Sequence, residues 1–168
     1  MDDTQINYPI VQAKDNDYYL FRNYKGEDMR AGSIFMDHRN DVKSQNRNTI
    51  LYGHRMKDGS MFGSLKKCWM KNSSCPIVNY ITIHYLKDTM LKFFQYIRQQ
   101  RTFITLKRIL KMMQRYTSFL KEIQEKSLYK TDTELTANDE IVTLSTCDYA
   151  LDPEAGRLVV HAKLVKRN

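Results

Sequence analysis

Three residues of the types that carry out acyl transfer stand at the ends of apolar stretches. Cys147 closes one stretch, His54 follows another directly after a glycine, and Arg157 opens a third, ten positions after the cysteine. A thiolate attacks carbonyl carbons, and a histidine holds the proton or returns it to a leaving amine. A cation stabilises the oxyanion of the tetrahedral intermediate. Together, these residues supply the groups needed for acyl transfer through a thioester.

Each of these residues also has a common structural role. A cysteine at the end of a buried strand often packs as a small hydrophobe. A histidine after glycine is common in turns, and an arginine at the start of a strand is often a solvated or paired charge. His38 and His161 are alternative bases, and His161 falls on the same predicted strand face as Arg157. The residue pattern alone leaves the identity of the base open.

The elements that would position these residues are mainly short strands. The clearest one, residues 157–164, alternates strictly, and its apolar face holds Leu158, Val160, Ala162 and Leu164. Further strands are predicted at residues 5–11, 32–37, 49–52 and 141–147, and a short helix at 61–67. Leu120, Ile123, Ser127 and Leu128 share one helical face ahead of the cysteine strand. This pattern predicts a mostly-β barrel or sandwich formed by one domain over residues 1–168.

The composition fits such a domain and excludes several other classes. The chain has 168 residues, of which 42% are hydrophobic, enough for a core in a domain of this size. No run of 18 apolar residues is present, and the first residues lack the features of a signal peptide. The three cysteines, Cys68, Cys75 and Cys147, leave at least one thiol unpaired. The sequence has no second Cys or His pair at the spacing typical of zinc sites, so we expect no metal and no other cofactor.

The basic charge is confined to one internal block. The net charge is +8, but residues 68–121 hold ten Lys or Arg and a single acid, while the remainder is close to neutral. A binding module that uses residues 87–116 on nucleic acid or anionic lipid is therefore an alternative function. Because the rest of the chain has no basic patch, we expect no nucleic-acid partner.

Four motifs, in this order along the chain, resemble class B sortases. Residues 32–37, followed by Arg39 and Asn40, are similar to a family strand, and residues 52–62 match the histidine motif Y-G-H-x-M-x-D-G-x-M-F. Residues 143–147 match the T-L-x-T-C signature with serine in the middle, which is typical of class B. Residues 157–164 resemble the strand that carries the family arginine. The chain is thus identified as a member of this family over about two-thirds of its length.

The resemblance implies a cysteine transpeptidase. Cys147 would attack the threonine carbonyl of a C-terminal sorting signal, usually of the Asn-Pro-x-Thr type, in a secreted protein. His54 would protonate the leaving amine, and Arg157 would steady the oxyanion or position the peptide. A peptidoglycan amine would then release the acyl-enzyme. Substrate contacts are expected at Ser145, Thr143 and Thr146, although a local hydrogen bond is an alternative role for the Ser145 hydroxyl.

The resemblance also implies an architecture and a location. The fold would be a closed sortase β-barrel with a few short helices, one of them before the cysteine strand. The protein would be a monomer on the extracellular face of the membrane, held there by an N-terminal anchor that this chain lacks.

One internal segment departs from the family. Residues 68–118 are basic where sortases usually have an acid-rich stretch of two strands and a helix, and residues 103–116 have the pattern of a basic amphipathic helix. Our hypothesis is a frameshifted segment between two compensating slips. Made as written, the segment is expected to leave part of the barrel unpaired. An inactive sortase remnant is therefore a second alternative function.

Overall fold

The structure is a computed structural model that describes residues 6–44, 46–66, 89–100, 113–127, 133–147 and 156–166. Its strands are β1 (Ile10–Val11), β2 (Ile34–Met36), β3 (Asn48–Tyr52), β4 (Thr89–Gln100), β5 (Ile141–Cys147) and β6 (Gly156–Lys166). A 3₁₀ helix spans Gly63–Lys66, and the helix α1 spans Met113–Glu125. Within the described ranges, no helix has the length and apolar character needed to cross a bilayer.

The strands form one mixed sheet in the order β1-β2-β3-β5-β6-β4. The pairs β1–β2 and β3–β5 are parallel, while β2–β3, β5–β6 and β6–β4 are antiparallel. The predicted mostly-β class, with a helix ahead of the cysteine strand, is confirmed. Among the described strands no pairing joins β1 to β4, so the predicted closure of the barrel is not seen in this part of the chain.

The sheet is covered on both faces. One face packs against the 3₁₀ helix and the residues before it, and its core contains Leu51, Met61, Phe62, Leu65, Val142, Leu144, Leu158, Val160 and Ala162. The other face, which we call the helix-covered face, packs against α1 through Ile50, Tyr116, Phe119, Leu120, Ile123, Ile141 and Val159. The predicted apolar face of residues 157–164 is therefore confirmed, with Leu164 partly buried against the same core.

The basic segment contains a paired strand, contrary to expectation. β4 pairs with β6 in antiparallel register from Thr89–Lys166 to Gln100–Gly156, with one irregularity between Phe93 and Gln95. The expectation that residues 68–118 leave part of the barrel unpaired therefore does not hold for residues 89–100. The residues of β4 pair along the edge of β6, which is 11 residues long. The local sequence pattern of β4 alone did not predict this pairing. Residues 67–88 and 101–112, including Cys68, Cys75 and most of the predicted amphipathic helix, lie outside the described residues.

Candidate active site

Three neighbouring strands bring the predicted catalytic residues to one end of the sheet. The last pair between β3 and β5 is Tyr52 with Ser145, and the Gly53 N–H donates to the Ser145 carbonyl at 3.3 Å. His54 follows immediately. On the other side of β5, Cys147 is paired with Arg157. The cysteine position therefore lies between the chain segments that carry His54 and Arg157, at the carboxyl end of β3 and β5.

His54 is half-buried and is held by the loop between β1 and β2. Its Nε2 lies 2.7 Å from the carbonyl oxygen of Leu20, and its ring lies 5.4 Å from the Phe21 ring, centroid to centroid. Its own carbonyl accepts a hydrogen bond from the Phe62 N–H at 2.9 Å. These contacts fix both the backbone and the ring of the histidine. None of them was predicted from sequence, because a backbone carbonyl leaves no signal in residue type.

The glycine before His54 is explained by packing. A Cβ at Gly53 would lie 2.8 Å from Cδ2 of Phe62, closer than carbon atoms approach without a shift. Phe62 is buried in the core beside Met61. Asp58 shapes the intervening turn by accepting hydrogen bonds from the N–H and the hydroxyl of Ser60, and these bonds lower the pKa of its carboxyl. Most of the histidine motif therefore serves to place one residue.

Arg157 is half-buried at the start of β6. Its Nη1 donates to the carbonyl of Gly156 at 2.8 Å. In the part of the chain that the structure describes, its guanidinium forms no ion pair with a carboxylate. Because a guanidinium carries five N–H donors, it keeps donors available for an anionic group near the Cys147 position.

The three predicted substrate contacts differ in their surroundings. The Ser145 hydroxyl is buried and has no hydrogen-bond partner among the described residues. The Thr143 hydroxyl is bonded to Asn48 Oδ1 at 2.7 Å and to His161 Nδ1 at 2.9 Å. Thr146 stands one residue out of phase with both, so its side chain lies on the opposite face of the sheet. The Thr146 hydroxyl is likewise buried without a partner among the described residues. All three remain predictions, and the Thr143 hydroxyl is the one already bonded to other side chains.

The alternative bases lie away from the cysteine. His161 is fully buried beneath α1, where its ring meets Phe119 edge-on at 6.3 Å. Burial lowers its pKa to about 3, so it stays neutral and is shut off from solvent. His38 follows β2, which runs antiparallel to β3, and therefore lies near the opposite end of the sheet. Of the described histidines, His54 is the one next to the cysteine position.

A buried carboxylate braces the strand that leads to His54. Asp37 is completely buried and accepts hydrogen bonds from Arg39 Nε and Nη2 and from Asn16 Nδ2. It also accepts one from the Tyr52 hydroxyl at 3.0 Å. Sequence motifs placed Asp37 and Arg39 in a family strand but did not indicate this cluster. Within the described ranges, no group of His, Cys, Asp or Glu side chains could hold a metal ion.

Comparison with known proteins identifies similar chains. The family model described as the sortase domain matches residues 1–165. Sortase B of Listeria monocytogenes serovar 1/2a is 40% identical over 168 residues, which cover 98% of this chain and 67% of that protein. A crystal structure of sortase B from Bacillus anthracis is 64% identical, with a TM-score of 0.85 over all of this chain and 76% of the other. A Staphylococcus aureus sortase B–substrate complex is 36% identical, with a TM-score of 0.87 over all of this chain and 78% of the other.

Proposed function

Because this chain belongs to the sortase family and is a cysteine transpeptidase of the sortase B type, we propose that it processes a C-terminal sorting signal of the Asn-Pro-x-Thr type. It joins the threonine carboxyl to a peptidoglycan amine through a thioester on Cys147. The observation that carries this proposal is the register that sets the Cys147 position between the segments bearing His54 and Arg157.

The placement of each group supports the following proposed roles. The Cys147 thiolate attacks the threonine carbonyl, and the developing oxyanion is stabilised by the Arg157 guanidinium across the strand pair. His54 delivers a proton to the departing amine. In the second half of the reaction, His54 takes a proton from the incoming peptidoglycan amine, which attacks the thioester and frees the cysteine.

The peptide is proposed to bind along the end of β5. The buried Ser145 hydroxyl, which has no partner among the described residues, is available for a hydrogen bond to the sorting signal. The Staphylococcus aureus relative is described as a sortase B–substrate complex, which supports a peptide site in this fold.

The proposed partners also set the location. Sorting signals and peptidoglycan amines meet at the outer face of the cell membrane, so we place the protein there, held by an N-terminal anchor and acting as a monomer. Protease accessibility of the protein in intact cells, compared with lysed cells, would test this placement.

A peptide cleavage assay tests the function. A fluorogenic Asn-Pro-x-Thr peptide is incubated with a peptidoglycan-type amine, and both the cleaved fragment and the amide product are measured. We expect Cys147→Ala, His54→Ala and Arg157→Ala each to reduce turnover by about 100-fold or more. Cys75→Ala, which removes another thiol, is the matched control and should retain activity.

Mass spectrometry of the protein mixed with peptide alone should detect the acyl-enzyme on Cys147. Cleavage by Cys147→Ala at the parent rate would refute the mechanism. Absence of any cleavage by the folded parent chain would favour the inactive remnant.

A further inference from the structure

We propose that the backbone carbonyl of Leu20 fixes the tautomer of His54, so that Nδ1 is the ring nitrogen that exchanges protons with substrate. This inference rests on the proposed function in assigning proton transfer to His54. It adds which ring nitrogen transfers the proton. It also assigns the orientation of the base to the loop between β1 and β2.

The contact admits one proton arrangement. Leu20 O and His54 Nε2 are 2.7 Å apart, and a carbonyl oxygen only accepts hydrogen bonds. The hydrogen between them must therefore belong to Nε2. In the neutral imidazole, the other nitrogen then carries the lone pair. The Phe21 ring lies beside the imidazole, 5.4 Å away at a tilt of 34°.

The carbonyl is itself held in place on both sides. The neighbouring carbonyls of Tyr19 and Phe21 accept hydrogen bonds from Ser33 N–H at 3.1 Å and Met29 N–H at 2.9 Å. The Leu20 N–H donates to the Asp17 carbonyl at 3.0 Å. With these bonds, the Leu20 peptide has little freedom to turn its oxygen away from His54.

Gly32 allows this arrangement. Its backbone has a positive φ of 58°, and a Cβ at this position would lie 2.3 Å from the Leu20 oxygen. That distance is far below van der Waals contact, so any side chain at position 32 would have to displace the carbonyl. Gly32 and His54 are 22 positions apart in sequence, yet in the fold both lie against the Leu20 carbonyl.

The consequence for acylation is a defined proton path. The sulfur of Cys147 forms a bond to the threonine carbonyl carbon, the bond from that carbon to the next nitrogen breaks, and the proton on Nδ1 moves to the departing nitrogen. The imidazolium becomes a neutral imidazole that keeps its Nε2 proton on Leu20. In catalytic triads an aspartate or asparagine side chain has this orienting role; here a neutral carbonyl has it.

The tautomer can be measured directly, without reference to activity. Protein labelled with ¹⁵N at histidine is examined by two-bond ¹H–¹⁵N correlation at alkaline pH, and the His54 signals are assigned with His54→Gln. We expect Nε2 to show the protonated shift and Nδ1 the lone-pair shift. The reverse assignment, or equal populations of the two tautomers, would overturn the proposal even in a fully active enzyme.

A pair of glycine variants tests the role of the carbonyl. Gly32→Ala should mix the two tautomers and lower kcat for the peptide by about 10-fold or more, with a smaller change in KM. Gly59→Ala is the matched control, since φ there is 86° but its Cβ would meet nothing within 4 Å. If Gly32→Ala keeps the parent tautomer and kcat, the Leu20 carbonyl does not orient His54. Should Gly32→Ala not fold, the tautomer of the parent protein still decides the proposal.

Discussion

At the scale of single residues, the site contains a polar atom that has no hydrogen-bond partner among the described residues. Ser145 is 2% exposed, and its hydroxyl has no hydrogen-bond partner among the described residues. A buried hydroxyl without a partner costs about 1–3 kcal/mol, and its place next to the Cys147 position supports the proposed binding role of Ser145. The Ser64 hydroxyl is buried and unsatisfied in the same way, but it lies in the 3₁₀ helix.

These two serines give a matched pair of variants. Ser145→Ala should leave the free energy of unfolding unchanged or raise it by about 1 kcal/mol. It should also raise KM for the sorting peptide by about 2- to 10-fold, the value of one hydrogen bond. Ser64→Ala should have the same effect on unfolding and none on KM. Chemical denaturation and steady-state kinetics measure both quantities, and equal KM values for the two variants would exclude a substrate contact at Ser145.

At the scale of elements, α1 holds the helix-covered face of the three strands that carry the site. Ile123 is completely buried there, among residues of β3, β5 and β6. Tyr116 ties the start of the helix to the sheet, because its hydroxyl hydrogen is shared between the carbonyls of Arg47 at 2.8 Å and Asp139 at 2.9 Å. The helix therefore fixes β3 relative to β5, the pair that sets His54 beside the cysteine position.

Shortening the Ile123 side chain should lower the stability of the protein. Ile123→Ala is expected to lower the free energy of unfolding by about 2–5 kcal/mol, since it removes buried methyl groups and leaves a cavity. Lys121→Ala, on the exposed side of the same helix, should change it by less than about 0.5 kcal/mol. Urea denaturation of both proteins gives the comparison. Similar stabilities would mean that α1 does not contribute to the core as described.

Elements with strong periodicity were predictable from sequence, whereas those formed by tertiary pairing were not. β5 and β6 followed from an apolar run and a strict alternation, and the motifs singled out Cys147, His54 and Arg157, whose positions meet at one end of the sheet. The strand predicted at residues 5–11 is only Ile10–Val11 in the structure, because these are the residues that pair with β2. β4 was missed since its residues have no clear alternation and pair only because β6 offers a free edge. The Leu20 contact to His54 was equally invisible, as it uses a backbone atom.

At the scale of the whole molecule, a buried histidine links stability to pH. His161 joins β6 to β5 through the Thr143 hydroxyl, and burial lowers its pKa from 6.5 to about 3. Between these two values the unfolded chain binds a proton at this position and the folded chain does not. Stability from this group is therefore complete above pH 6.5 and falls as the pH drops toward 3.

The expected loss at this histidine is about 2 kcal/mol between pH 7 and pH 5. Denaturation curves at a series of pH values measure it. His161→Asn, which has no titratable ring, should be less stable at pH 7 but should show a flatter dependence over this range. A slope as steep as that of the parent protein would assign the acid sensitivity to other groups.

The parallel pairing of β3 with β5 also determines when the enzyme becomes reactive. Asn48 pairs with Ile141, so residues 53–140 separate the strand that leads to His54 from the strand that ends at Cys147. Contacts between such distant segments form late in folding, because the long loop between them must first close. Until then Cys147 has no His54 beside it, although Arg157, paired with it across β5 and β6, is close in sequence. The chain therefore acquires its chemistry only when its topology is complete.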